Sequence, residues 1–182
     1  MGTATPTIVG SPIENPIDGP IDGIPNLPVH TILDDIADAV EDYLSTYVTV
    51  SFVDVSPDAG TSINTNEEVD FKLQIFNRGP LTMKDVKLRI ISKSGAKVKG
   101  AGAADVFDGE AFANTIATVG GHENKTTETL HLKAPASTKP AGTDLVEAYV
   151  DEWDALWTYT LNKSSGASDE ALGVYEAQVH PQ

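Results

Sequence analysis

Val69-Asp70-Phe71-Lys72-Leu73-Gln74-Ile75-Phe76-Asn77-Arg78-Gly79-Pro80, followed shortly by Asp85-Val86-Lys87-Leu88-Arg89-Ile90, is the stretch that decides the fold. Val69, Phe71, Leu73 and Ile75 alternate with Asp70, Lys72, Gln74 and Phe76; Val86, Leu88 and Ile90 alternate with Lys87, Arg89 and Ile91. A repeat of two sends alternate side chains to opposite faces of a strand, so each run has one face for a core and one for water. Asn77-Arg78-Gly79-Pro80 between them is turn chemistry: Asn and Gly accept positive φ, and Pro ends a strand.

Working outward, Tyr47–Val55 reads as a preceding strand, and Phe112–Val119, Thr126–Ala134, Leu145–Asp151, Trp157–Leu161 and Leu172–Val179 as later ones. They are separated by clusters of Gly, Pro, Ser and Asn, with no second long helix among them. This pattern predicts an all-β, antiparallel β-sandwich of seven to eight strands over residues 48–182.

The remaining residues have a different character. Residues 1–28 hold six of the 11 prolines and the tetrads Pro12-Ile13-Glu14-Asn15, Pro16-Ile17-Asp18-Gly19 and Pro20-Ile21-Asp22-Gly23. Proline at this density excludes a helix or a central strand, which leaves an extended arm. Ile13, Ile17, Ile21 and Ile24 recur where a flexible linker would carry Gly or Ser, and they are read as pegs of a docking arm. Residues 29–47 are predicted to be an amphipathic helix. Thr31 and Asp34 open it in the manner of a capping pair, and Ile36, Val40, Tyr43, Leu44 and Tyr47 lie on one stripe.

The run from Val69 to Pro80 and on through Asp85–Ile90 resembles the Asn-x-Gly-Pro segment of bacterial and archaeal immunoglobulin-like repeats, the CARDB-like domains. Ala148-Tyr149-Val150-Asp151, Leu161-Asn162 and Tyr175–Val179 are similar to their closing strands. The resemblance covers about residues 48–180 and rests mainly on Asn77, Gly79 and Pro80. It implies an immunoglobulin-like sandwich of seven or eight strands used for adhesion, spacing or assembly, and it carries over no catalytic residue. The bulky Asp151–Trp157 segment, the single rather than tandem domain, and the arm and helix depart from that pattern.

Charge narrows the function classes. The chain has 182 residues, with 27 acids against 12 Lys and Arg, a net charge of -15, and no Cys. The missing Cys removes disulfides, thiolate metal sites and a thiol nucleophile. The acidity argues against nucleic acid or anionic lipid as partner, because binding phosphate requires clustered cations. Residues 1–71 carry 13 acids and no Lys or Arg, residues 72–99 carry eight bases and one acid, and residues 100–182 carry four bases and 13 acids. If Phe71, Leu73, Leu88 and Ile90 face the core, then Lys72, Lys87 and Arg89 face outward. On adjacent strands they would form a cationic patch for the acidic arm or helix of another subunit.

No catalytic constellation is present. His30, His122, His131 and His180 fall in no metal-binding spacing. Asp105-x-x-Asp108-Gly109-Glu110 offers oxygen ligands of the calcium kind without the order of an EF-hand. Asp151 and Glu152 make a poor catalytic pair, since neighbours on a regular strand point oppositely. Trp153 and Trp157, with Tyr149 and Tyr159, make an aromatic cluster in sequence that reads as core or interface first and as a surface for stacking on a sugar second. Asn124-Lys125-Thr126 and Asn162-Lys163-Ser164 match the glycosylation sequon.

Residues 1–30 lack the basic and apolar regions of a secretory leader, and no apolar run approaches a membrane span. The expectation is therefore a non-enzymatic structural protein without metal or cofactor, binding copies of itself or a shell or tube protein. A virion component (head decoration, neck or tail) comes first. A cell-surface filament or adhesin subunit comes second, and a carbohydrate-binding module third.

Overall fold

The computed structural model of the chain describes residues 42–57, 62–102, 104–155 and 168–182. The arm, the predicted helix as far as residue 41, and the predicted strand 157–161 lie outside the described residues. Residues 42–47, the described end of that helix, are helical, with Tyr43 and Leu44 buried and Asp42, Ser45 and Thr46 exposed.

Eleven strands follow among the described residues. They are β1 (Val48–Ser56), β2 (Ser62–Asn64), β3 (Glu68–Asn77), β4 (Met83–Ser92), β5 (Lys97–Lys99), β6 (Glu110–Phe112), β7 (Ile116–Val119), β8 (Glu123–Thr126), β9 (Leu130–Lys133), β10 (Lys139–Ala155) and β11 (Gly173–His180). They form two sheets. One runs β1-β3-β9-β5, with β8 also on β3; the other runs β2-β11-β10-β4-β6, with β7 also on β4. All pairings are antiparallel except β11 with β2, which is parallel at Val179 and Ile63.

The core lies between the sheets and is built from the alternation. Val69, Leu73 and Ile75 of β3 and Val86, Leu88 and Ile90 of β4 are fully buried, and Phe71 nearly so. Leu130 and Leu132 of β9, Val146, Ala148 and Val150 of β10, and Ala177 and Val179 of β11 join them. Each large aliphatic or aromatic side chain of this set contributes about 1.5–3 kcal/mol by leaving water.

The strand count exceeds seven or eight for two reasons. Two strands that read as continuous are each broken by an inserted residue, and β2 and β5, three residues apiece, are too short to show a period. β8 and β9 occupy one lane along β3, paired at Gln74 with Thr126 and at Phe71 with Leu130. The spare residue falls at 127–129, where the Thr127 hydroxyl accepts the Leu73 N–H at 3.0 Å in place of a ladder partner. β6 and β7 likewise share one lane along β4, with Phe112 opposite Arg89 and Ile116 opposite Val86.

Candidate functional site

The most fully bonded polar side chain among the described residues stands in the Asn-x-Gly-Pro turn. Asn77 ends β3 on the inward side and is completely buried. Its Oδ1 accepts the Tyr43 hydroxyl at 2.8 Å and the Gly79 N–H at 3.1 Å; its Nδ2 donates to the Leu81 carbonyl at 2.6 Å and the Gly120 carbonyl at 3.1 Å. All four hydrogen-bonding positions of the amide are thus filled, which is what makes burying it tolerable.

Tyr43 closes the arrangement from the helical residues. Its oxygen also accepts the Leu81 N–H at 3.0 Å, and its ring stacks on Trp153 with centroids 5.6 Å apart. Burial pushes the phenol pKa up, partly offset by the bonds to Leu81 and Asn77. Gly79 is required here because a Cβ would overlap the Tyr43 ring, and at Gly121 a Cβ would come within 2.6 Å of the Pro80 carbonyl. Helical residues 42–47, the turn 77–81 and the 120–121 loop are therefore clasped together.

The structure does not bring Lys72, Lys87 and Arg89 together. β3 and β4 belong to different sheets, so Lys72 lies on the outer face of one and Lys87 and Arg89 on the outer face of the other. Consecutive strands of a sandwich often cross between sheets, and alternation alone cannot tell a crossover from a hairpin. Nor are the cations unpaired. Lys72 Nζ meets Asp54 at 2.9 Å, and Lys87 Nζ lies 3.6 Å from Asp151 and 3.9 Å from Glu152. Arg89 approaches Asp151 and Glu110, each at 3.5 Å. Lys87 also sits over the Phe112 ring and Arg89 over Tyr149.

Asp151 and Glu152 reach one lysine because β10 bulges. Val150 pairs with Leu88, yet Glu152 pairs with Lys87, leaving Asp151 as the extra residue. Val150 and Trp153 thus both point inward while the two acids between them reach the outer face. The opposed orientation expected of neighbours on a strand fails here.

Further along this face Lys93 Nζ binds Glu147 at 2.8 Å, and the Tyr149 hydroxyl donates to the same carboxylate at 2.6 Å. The Lys93 bond, then the Tyr149 bond, hold the Glu147 carboxyl below its ordinary pKa, and Glu147 in turn raises both Tyr149 and Lys93. This cluster was not foreseen. Glu147 and Tyr149 two apart on one strand was the visible signal; Lys93 lies too far away in sequence to be seen with them.

The remaining candidates divide. Trp153 is 1% exposed and packed on Tyr43, so it presents no face to a sugar. Trp157, Asn162 and the pegs Ile13, Ile17, Ile21 and Ile24 lie outside the described residues. Asp105, Asp108 and Glu110 line an open cavity of about 510 Å³ with Val106 and Phe112. Asp105 accepts the Gly102 N–H, Asp108 accepts the Gly109 N–H, and Glu110 faces Arg89. Among the described residues no group of three or more His, Asp or Glu is placed to share a metal ion, and no helix is long and apolar enough to cross a membrane.

No protein-family model matches the chain, and no curated protein matches it either. Solved structures do. The chain is similar to the CARDB domain of PF1109 from Pyrococcus furiosus in its solution structure, with 11% identity, 74% of this chain and 95% of that chain covered, and a TM-score of 0.35. The crystal structure of the same domain in complex with di-metal ions gives 11% identity, 74% and 90% coverage, and a TM-score of 0.33. Spo0M, a sporulation control protein from Bacillus subtilis, gives 10% identity, 75% and 50% coverage, and a TM-score of 0.34, so this chain spans half the length of that one. The resemblance to CARDB domains is one of fold, and no site or activity passes through it to this chain.

Proposed function

We propose that the chain is a non-enzymatic structural module, working inside a larger protein assembly and attached through the residues that precede Tyr43. The observation that carries this reading is the clasp. Tyr43, Asn77, Gly79 and Leu81 fix the point at which the chain enters the sandwich, so the segment upstream starts from a rigid base. That segment has the composition of a docking arm, with Ile13, Ile17, Ile21 and Ile24 recurring every three or four residues and no Lys or Arg. A second copy or a shell or tube protein is the partner that such pegs fit, and no nucleic acid is involved. The setting proposed is a virion, as a head-decoration, neck or tail component.

The test is assembly by a chain lacking residues 1–28, which keeps Tyr43 and the whole sandwich. Electron microscopy should find the truncated chain folded but absent from the particle that the full chain joins. Undiminished incorporation would refute the arm as the means of attachment. A cell-surface filament or adhesin subunit is the second reading, favoured by one observation: Asn124 of the sequon is exposed on β8. The carbohydrate-binding reading loses Trp153 and has no comparable support.

A further inference from the structure

Asn124-Lys125-Thr126 forms β8 with Glu123, and its register on β3 is set: Asn124 opposite Phe76, Lys125 opposite Ile75, Thr126 opposite Gln74. Ile75 is fully buried, so Phe76 and Gln74 point the other way, and their direct partners Asn124 and Thr126 share that outer face. Across β3, Thr49 pairs with Phe76 and Ser51 with Gln74. The six residues Thr49, Ser51, Gln74, Phe76, Asn124 and Thr126 make a patch without a charge in a chain of net charge -15. Phe76 is 38% exposed at its centre, and among the described residues its ring joins no aromatic or cation–π pair.

We propose that Asn124 is an N-glycan acceptor and that Phe76 seats the first sugar. Asparagine with threonine two residues on is the sequence that glycosylating enzymes accept. An outward Asn124 leaves the linkage in solvent, with the sugar lying back across the ring beside it. The C–H-rich face of a pyranose meets the electron-rich face of an aromatic ring favourably, and Gln74, Thr49 and Ser51 supply uncharged donors and acceptors for its hydroxyls. In the transfer, the Asn124 side-chain nitrogen bonds to the anomeric carbon of a lipid-diphosphate-linked oligosaccharide. The bond from that carbon to the diphosphate oxygen breaks, the lipid diphosphate leaves, and the amide proton passes to base. No oxidant or reductant is needed.

The test sends the full chain through the export route of an N-glycosylating host behind a cleavable leader, then measures intact mass, glycopeptides and thermal unfolding. The expected result is a glycan on Asn124, absent from Asn124→Gln and from Thr126→Ala. The glycosylated chain should melt about 2–4 °C above Asn124→Gln, a gain on the scale of one aromatic contact. In a Phe76→Ala background, exposed enough to leave the fold intact, that gain should vanish. A folded, exported chain with no sugar on Asn124 overturns the acceptor role, and an undiminished gain in Phe76→Ala overturns the seating role. The acceptor role rests on the cell-surface reading, since N-glycosylation requires export; its failure removes that reading's support, while both readouts are separate from self-association and leave attachment through the arm to its own test.

Discussion

Asn77 was legible in the sequence as a turn residue, together with Gly79 and Pro80, because Asn-x-Gly-Pro is local chemistry. Its partner was not: Tyr43 lies 34 residues away, and nothing local distinguishes a core tyrosine from one that caps a turn. Its hydroxyl both donates to Asn77 and accepts from Leu81. Tyr43→Phe leaves the ring on Trp153 but removes that hydroxyl, and it should cost about 1–2 kcal/mol in urea unfolding. Asn77→Ala strands two donors and two carbonyls at a buried site and should cost more, about 2–4 kcal/mol, with the midpoint falling while the slope is unchanged. Equal costs for the two variants would mean that Asn77 does not organise the turn. Trp153 is the contrasting case: burial is the favoured reading of its aromatic run, and the bulge at Asp151 is what turns it inward onto Tyr43.

Strands were legible wherever the period of two ran unbroken, as in β3 and in β4 from Val86 to Ile90. They were misjudged where an extra residue keeps the right faces inward by changing the backbone. Asp151 in β10 and residues 127–129 between β8 and β9 are such insertions, and no side-chain pattern announces them. In β4, Asp85 takes φ of 50°, where the register against β10 slips between Lys87 and Lys84. Positive φ costs an ordinary residue about 1–2 kcal/mol relative to glycine. Asp85→Gly should therefore hold or raise the melting temperature and Asp85→Val should lower it. At the other break, Thr127→Val removes the acceptor of the Leu73 N–H and should cost about 1–2 kcal/mol, measured as a loss of hydrogen-exchange protection at Leu73.

For the whole molecule, the net charge of -15 hides an internal settlement. Four of the eight cations of the block 72–99, Lys72, Lys87, Arg89 and Lys93, meet acids of β6 and β10 or Asp54, so the three that looked available for a partner hold the sandwich's own faces. The pH dependence follows. Lys93 and Tyr149 hold the Glu147 carboxyl down; Lys125 and the Gly120 N–H do the same for Glu123. A lowered carboxyl stabilises the fold fully above its ordinary value of 4.5 and loses that contribution as pH falls through the folded value. Tyr149 and Lys93 are raised, so their contribution is complete below their ordinary values of 10.0 and 10.5 and fades as pH climbs through the folded ones. Glu147→Gln should flatten the acid limb of a urea midpoint–pH curve and, because Glu147 is what raises Tyr149 and Lys93, flatten the alkaline limb as well. An acid limb as steep as the parent's would show that Glu147 contributes nothing there.

The central claim, a sandwich built into an assembly through the chain that precedes its clasp, is met most directly by sedimentation velocity over a concentration series, comparing the full chain with one lacking residues 1–28. The account predicts that the full chain self-associates as concentration rises while the truncated chain sediments as a folded monomer throughout. Identical sedimentation of the two chains at every concentration, alone and with the shell or tube protein of the particle added, would contradict it.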